Sequence, residues 1–187
     1  MHLPTLATTL LLPFTTLAAS LHRRTIPAST IIQDIENIHQ GVLANTAATE
    51  AYDGGNLLTT LVTGTPVLAT VGAIHVANRK GFVDANLAPQ YGEADTRAIF
   101  DKVVDTVAVS IPAAVEVIVG KKEAFEDAGL GPVVLASLRL LIDDHDTFSA
   151  AVTAKSFMGD AELTAEGEKA VDDIHDAIQG GIDAYSS

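Results

Sequence analysis

The sequence predicts an all-α fold: a single-domain antiparallel helical bundle of five to six helices, some of them kinked, with no disulfides. Three observations carry this prediction. Ile, Val and Leu recur at steps of three and four in four separate stretches, the period of a helix buried along one face. Turns rich in Gly, Pro and Asp separate those stretches. The 187 residues include no cysteine, so apolar burial alone has to hold the chain together.

The first nineteen residues, MHLPTLATTLLLPFTTLAA, carry no Asp, Glu, Lys or Arg. Their apolar run around Leu10, Leu11, Leu12 and Phe14 is too short to span a bilayer and ends in Ala18, Ala19 and Ser20, the small residues a signal peptidase needs. Residues 1–19 therefore read as a signal peptide. Residues 20–24 form a short linker or propeptide whose Arg23-Arg24 pair suits a kexin-like protease, and the bundle domain is expected over 25–187.

Within the bundle, Ile31, Ile35, Ile38 and Val42 mark a helix from Ser29 to about Tyr52, stopped by Asp53-Gly54-Gly55-Asn56. Leu57 to Ala77 holds no charge except His75 when protonated, and has to be weighed as a membrane span. Gly64, Pro66, Gly72 and five threonines argue against that and for a buried helix kinked or split near 64–66 and closed by Asn78-Arg79-Lys80-Gly81. After a polar link, Ile99, Phe100, Val103, Val104 and Val107 resume helical spacing. The valine-rich run from Val107 to Val119 alternates as a strand would, yet a lone strand would have no partner, so the helix is preferred, kinked or restarted at Pro112. Gly129-Leu130-Gly131-Pro132 ends that segment. A helix carrying Leu135, Leu138, Ile142, His145, Phe148 and Val152 follows, and a last one after Thr164 carries Val171, Ile174, Ile178, Ile182 and Tyr185.

Without residues 1–24, nine basic side chains face 24 acidic ones, a net charge of −15. Such a surface repels phosphate backbones, which excludes nucleic acid as a partner. Aromatic residues make up only 5% of the chain, with no Trp, which speaks against a sugar-binding lectin. No Asn-x-Ser/Thr sequon is present. Catalytic signatures are missing too: there is no Gly-x-Ser-x-Gly elbow, Walker loop or His-Glu-x-x-His. Asp143-Asp144-His145-Asp146 cannot converge on one ion from consecutive helical positions and reads as a solvated acidic face, so no metal and no cofactor is expected. His39, His75, His145 and His175 read as packed or half-exposed helix histidines.

One feature exceeds an ordinary bundle. Residues 57–77 and 99–119 carry aliphatic side chains around most of their circumference, so they are either central core helices or the walls of a lipid cavity. If they are walls, Leu61, Val67, Leu68, Val71, Ile74, Ile111, Val115 and Ile118 are the candidate lipid-binding residues.

The order of these pieces resembles the fungal hydrophobic surface binding protein A family, which overlaps the cell-wall galactomannoproteins. The pieces are the leader, the Ile31/Ile35/Ile38/Val42 helix, the Tyr52-Asp53-Gly54-Gly55 stop, and Lys121-Lys122-Glu123-Ala124-Phe125 followed by Gly129 and the Val134/Leu135/Leu138 helix. The resemblance implies a secreted, non-enzymatic helical protein that binds hydrophobic surfaces, recruits secreted esterases to them and holds a fatty acid or other amphipathic lipid between helices. The chain lacks the Ser/Thr-rich C-terminal extension of wall-anchored galactomannoproteins, which leaves cell-wall association open. The rival reading is a secreted protein-interaction module, an effector or antigen, with a filled core and no lipid.

Overall fold

The computed structural model describes residues 25–55 and 57–187. The signal-peptide and linker assignments over 1–24 lie outside the described residues, as do Asn56 and the side chains at 57–61 and 63, among them that of Leu61. The described residues form α1 (Ala28–Glu50), α2 (Leu57–Leu87), α3 (Glu93–Asp105), α4 (Val107–Gly120), α5 (Lys122–Asp127), α6 (Gly131–Thr153) and α7 (Ala161–Ser186). Only Thr106 separates α3 from α4, so the two make one bent helix and the bundle has six. Among the described residues there is no strand, and the valine run Val107–Val119 is helical.

The helix ends follow local chemistry. Gly54 and Gly55 have φ of 69° and 116°, the left-handed conformations that let the chain reverse after α1. At the end of α5, Gly129 (φ 73°) donates its N–H to Glu126 O at 2.8 Å and Leu130 donates to Phe125 O at 2.7 Å, the paired bonds of a Schellman stop. Pro132 then sits in the first turn of α6.

Four boundaries differ from those read off the sequence. α2 runs unbroken through Pro66 and past Asn78-Arg79-Lys80-Gly81 to Leu87. Gly81 is a packing residue there rather than a stop: a Cβ on it would lie 2.7 Å from the Phe148 ring of α6. Similarly, the bend in the third long helix falls at Thr106 (φ −128°, ψ −83°), and Pro112 lies inside α4. Thr106 donates its hydroxyl to the Lys102 carbonyl and its N–H to Val103 O, three residues back, so the regular ladder is interrupted there rather than at the proline. α7 begins at Ala161, three residues before Thr164, because the Asp160 carboxylate caps it by accepting from the N–H groups of Glu162 (2.9 Å) and Leu163 (3.1 Å).

Consecutive long helices run antiparallel, and five of them close into a ring in the order α1, α2, α6, α7, α4 and back to α1. Three of the ring's contacts join parallel neighbours. Thus His75 and Arg79 of α2 meet Asp144 and Thr147 of α6, Glu36 and His39 of α1 meet Lys102 and Ser110 of α3 and α4, and Val115 and Ile118 of α4 meet Gly181 and Tyr185 of α7. The link from α2 to α3 is tied to the far end of α6, where Tyr91 donates its N–H to Lys155 O at 2.7 Å. Taken across Thr106, Glu93–Gly120 is long and apolar enough to cross a membrane. In the bundle it is the wall between α1 and α7.

Candidate lipid cavity

The ring of helices encloses a cavity of about 100 Å³. Ile35, Ile38 and Val42 enter it from α1, Ile111, Val115 and Ile118 from α4, and Ile174 and Ile178 from α7. Along α6 its lining runs from Leu138 to Thr153, roughly 22 Å at 1.5 Å per residue. A small volume stretched over that length is a narrow slot. Its cause is visible in the sequence: most side chains that meet here are slim aliphatics, with Phe100 and Phe148 as the aromatic rings, a few polar residues such as Asn45, Asn78 and His145 among them, and no Trp to fill the axis. The Phe100 ring lies over Gly167 of α7, where an added Cβ would be 2.3 Å away.

A second cavity of about 30 Å³ lies between α2 and α6. Asn45, Ile118, Leu138 and Leu141 line both spaces, so the two are neighbours across one layer of side chains. Leu68 (45% exposed) and Val133 (38%) line the smaller one and reach the surface.

Of the residues singled out in the sequence, Ile74, Ile111, Val115 and Ile118 line the central cavity, and Val67, Leu68, Val71 and again Ile118 the smaller one. The sequence prediction omitted α1, α6 and α7, whose stripes supply most of the central lining. Of the polar lining residues it left out Asn45, and it read Asn78 as part of a helix end and His145 as a packed helix histidine. Each of these interrupts an apolar stripe at helical spacing, Asn45 three residues after Val42 and Asn78 four after Ile74, and that was the available signal.

Among the described residues, no side chain lining either cavity carries a permanent charge. Asn45 Nδ2 donates to Val67 O (3.2 Å) and to Thr70 Oγ1 (2.9 Å), and Asn78 Nδ2 donates to its own helix at Ile74 O (3.1 Å). His145 Nε2 lies 3.0 Å from Val171 O and Nδ1 3.4 Å from Ser149 Oγ. Burial holds the His145 pKa below its ordinary 6.5, which keeps the ring neutral, with Nε2–H donating to the carbonyl and Nδ1 accepting from Ser149. Because the folded pKa is depressed for a base, only the unfolded chain takes up this proton just below pH 6.5, so this contribution to stability falls as pH drops through that window. In urea melts between pH 7 and 5, His145→Gln should therefore lose less stability than the wild type. An equal slope in both proteins would mean that His145 is not held neutral.

The acidic run is not the solvated face the sequence suggests. Asp144 is only 1% exposed, with Oδ2 2.6 Å from His75 Nδ1 and Arg79 Nη1 3.9 Å from Oδ1, and burial raises its pKa despite these neighbours. Asp143 and Asp146 do face solvent. On the other side of α2, Asp34, also 1% exposed, takes Lys80 Nζ at 2.6 Å, and Lys80 reaches Asp84 at 2.7 Å. Residues 75–80 thus clamp α2 to α6 and to α1. The hydroxyl beside the His75–Asp144 pair, Thr147, is occupied: Arg79 donates to it and it donates to the Asp143 carbonyl. No group of three or more His, Cys, Asp or Glu able to hold a metal occurs among the described residues.

Among solved structures the fold is similar to that of AFMP4P in complex with palmitic acid, with 21% identity and a TM-score of 0.77 over 84% of this chain and 99% of that one. It is similar also to ligand binding domain 1 of the Penicillium marneffei MP1 protein complexed with arachidonic acids (24% identity, TM-score 0.75, covering 86% and 99%). Domain 2 of the same protein, complexed with multiple arachidonic acids, gives 24% and 0.73 over 83% of this chain and 93% of that one. No curated protein matches the sequence. The profile of one protein family matches residues 28–154, more than half of the chain and all of it from the first residue of α1 to the end of α6. The chain belongs to the hydrophobic surface binding protein A family.

Proposed function

We propose that this chain is a secreted, non-catalytic lipid-binding protein that takes the tail of a single-chain amphipathic lipid, a fatty acid above all, into the central cavity and adsorbs to hydrophobic surfaces. The observation that carries this reading is the cavity itself, long, narrow and uncharged, a shape that suits an unbranched acyl chain. The fatty acids in the similar structures support it. Ile74, Ile111, Val115 and Ile118 contact the tail in this reading, and Val67, Leu68 and Val71 receive its continuation toward α6. With no cation in the lining, the carboxylate stays at a mouth of the cavity, in water, where its charge keeps its hydration. The cavity is smaller than the roughly 150 Å³ apolar space that admits benzene, so a long tail enters by spreading the slim side chains of α4 and α7. The rival interaction module calls for a filled core, which the slot at the bundle axis disfavours. Extracellular location, with a signal peptide over 1–19 and a linker over 20–24, and the recruitment of secreted esterases to coated surfaces complete the proposal.

Titrating lipid-stripped protein with saturated fatty acids of twelve to twenty carbons, by displacement of a fluorescent acyl probe, tests the reading. Saturable binding that tightens with chain length is expected, since each buried methylene contributes about 0.8 kcal/mol. Folded protein that binds none of them would require the interaction-module reading instead.

A further inference from the structure

We propose that the protein lies down on uncharged apolar solids, such as a hydrocarbon wax, through the outward face of the first half of α2, the side turned away from the cavity. The inference rests on the surface-binding half of the function proposed above and assigns it a place on the molecule. Val62, Pro66, Ala69, Ala73 and Val76 are all exposed. Their spacing of four, three, four and three puts them on one helical stripe about 21 Å long. Val62 is 69% and Val76 67% exposed, among the largest values for any apolar side chain described.

Charge separates this stripe from exposed apolar residues on α4, on α6 and farther along α2. The chain has 24 acidic residues, yet none lies between Asp53 and Asp84, and the first cation of α2 is Arg79. A carboxylate brought against a hydrocarbon solid loses water on its contact side and finds no partner there, so faces bearing acids are held off. Val109 (65% exposed) has Asp105 one turn before it, and Leu140 (40%) has Arg139 beside it and Asp143 one turn on. Farther along α2, Val83 is next to Asp84 and one turn from Lys80, which marks the end of the uncharged stripe. The clamps of His75 to Asp144 and Lys80 to Asp34 also hold α2 on its neighbours from the sides, leaving the outward stripe uninvolved in the fold.

Adsorption to paraffin-coated beads, read as the protein left in solution, provides the test with the full secreted chain. A Val62→Asp/Val76→Asp double variant and its Val62→Lys/Val76→Lys counterpart should each adsorb at least about tenfold more weakly. Both should keep wild-type helicity and acyl-probe affinity, because these side chains point away from the cavity. A Val109→Asp/Leu140→Asp control should adsorb like the wild type. Undiminished adsorption of the α2 variants, or an equal loss in the control, would overturn this face while leaving surface binding in place. Wild-type protein that binds the acyl probe but leaves the beads bare would overturn surface binding itself.

Discussion

Replacing Ala170 by Leu should weaken fatty-acid binding by about fiftyfold while leaving the protein as stable as before or more so. Ala170 is buried on α7 and its methyl lines the central cavity. Leu adds three carbons to the space an acyl tail would use. Excluding about three methylenes at roughly 0.8 kcal/mol each removes about 2.4 kcal/mol of binding, or close to fiftyfold in Kd. Filling an apolar void typically adds about 0.5–2 kcal/mol to stability, so the two effects have opposite signs. Opposite signs make this variant more telling than Val115→Asp or Val71→Asp. Those should also abolish binding, but a buried carboxylate can unfold the bundle and give the same result. Calorimetric titration beside thermal melts checks the outcome. A stable Ala170→Leu protein with wild-type affinity would show that the tail does not occupy this slot.

The second large effect concerns the clamp between α2 and α6. His75→Leu should destabilise the protein by about 3 kcal/mol at pH 7, because Asp144 would remain buried with its Oδ2 partner gone and Arg79 too distant for a hydrogen bond. Adding Asp144→Leu should restore most of that loss, since an apolar pair of similar volume replaces a buried polar one at little cost. The single variant should also recover as the solution is acidified. Burial holds the folded pKa of Asp144 above the ordinary 3.8, so the folded state takes up its proton before the unfolded state does. The penalty of the buried charge is thus relieved as pH falls through the folded value toward 3.8. Urea melts of the three proteins from pH 7 to 4 read both effects. A His75→Leu protein of wild-type stability at every pH would mean that Asp144 needs no partner.

The two clamps illustrate what the sequence conceals. Asp144 belongs to a run of acids that local reasoning assigns to solvent, and Lys80 to a tetrapeptide that looks like a helix end. Each becomes a buried pairing only through a partner on a distant helix, Asp144 on α6 with His75 and Asp34 on α1 with Lys80, and the missing side chain of Gly81 lets α2 run on against the Phe148 ring of α6. The family-like pieces behave in the same way. Tyr52 from the stop after α1 stacks on Phe125 from α5, with centroids 4.4 Å apart and an interplanar angle of 10°, and Gly54 backs onto Ala124. Separated by some seventy residues, they give no local sign that they touch.

The sequence by itself determined the fold class, the stripe each helix buries and most of the stops. Those properties depend on interactions within a few residues: the 3.6-residue period of apolar side chains, and glycines free to take positive φ at 54 and 129. It also placed aliphatic residues of α2 and α4 where a lipid cavity could form. Only the tertiary structure decided the rest: the closed order α1, α2, α6, α7, α4, the parallel neighbours within it, the partners of Asp34 and Asp144, and the slot along the axis. A stripe specifies that a face is buried and leaves open against what. Whether five such faces meet in a filled core or around a void depends on the summed volume of side chains from five distant segments, and that sum exists only once the ring has closed.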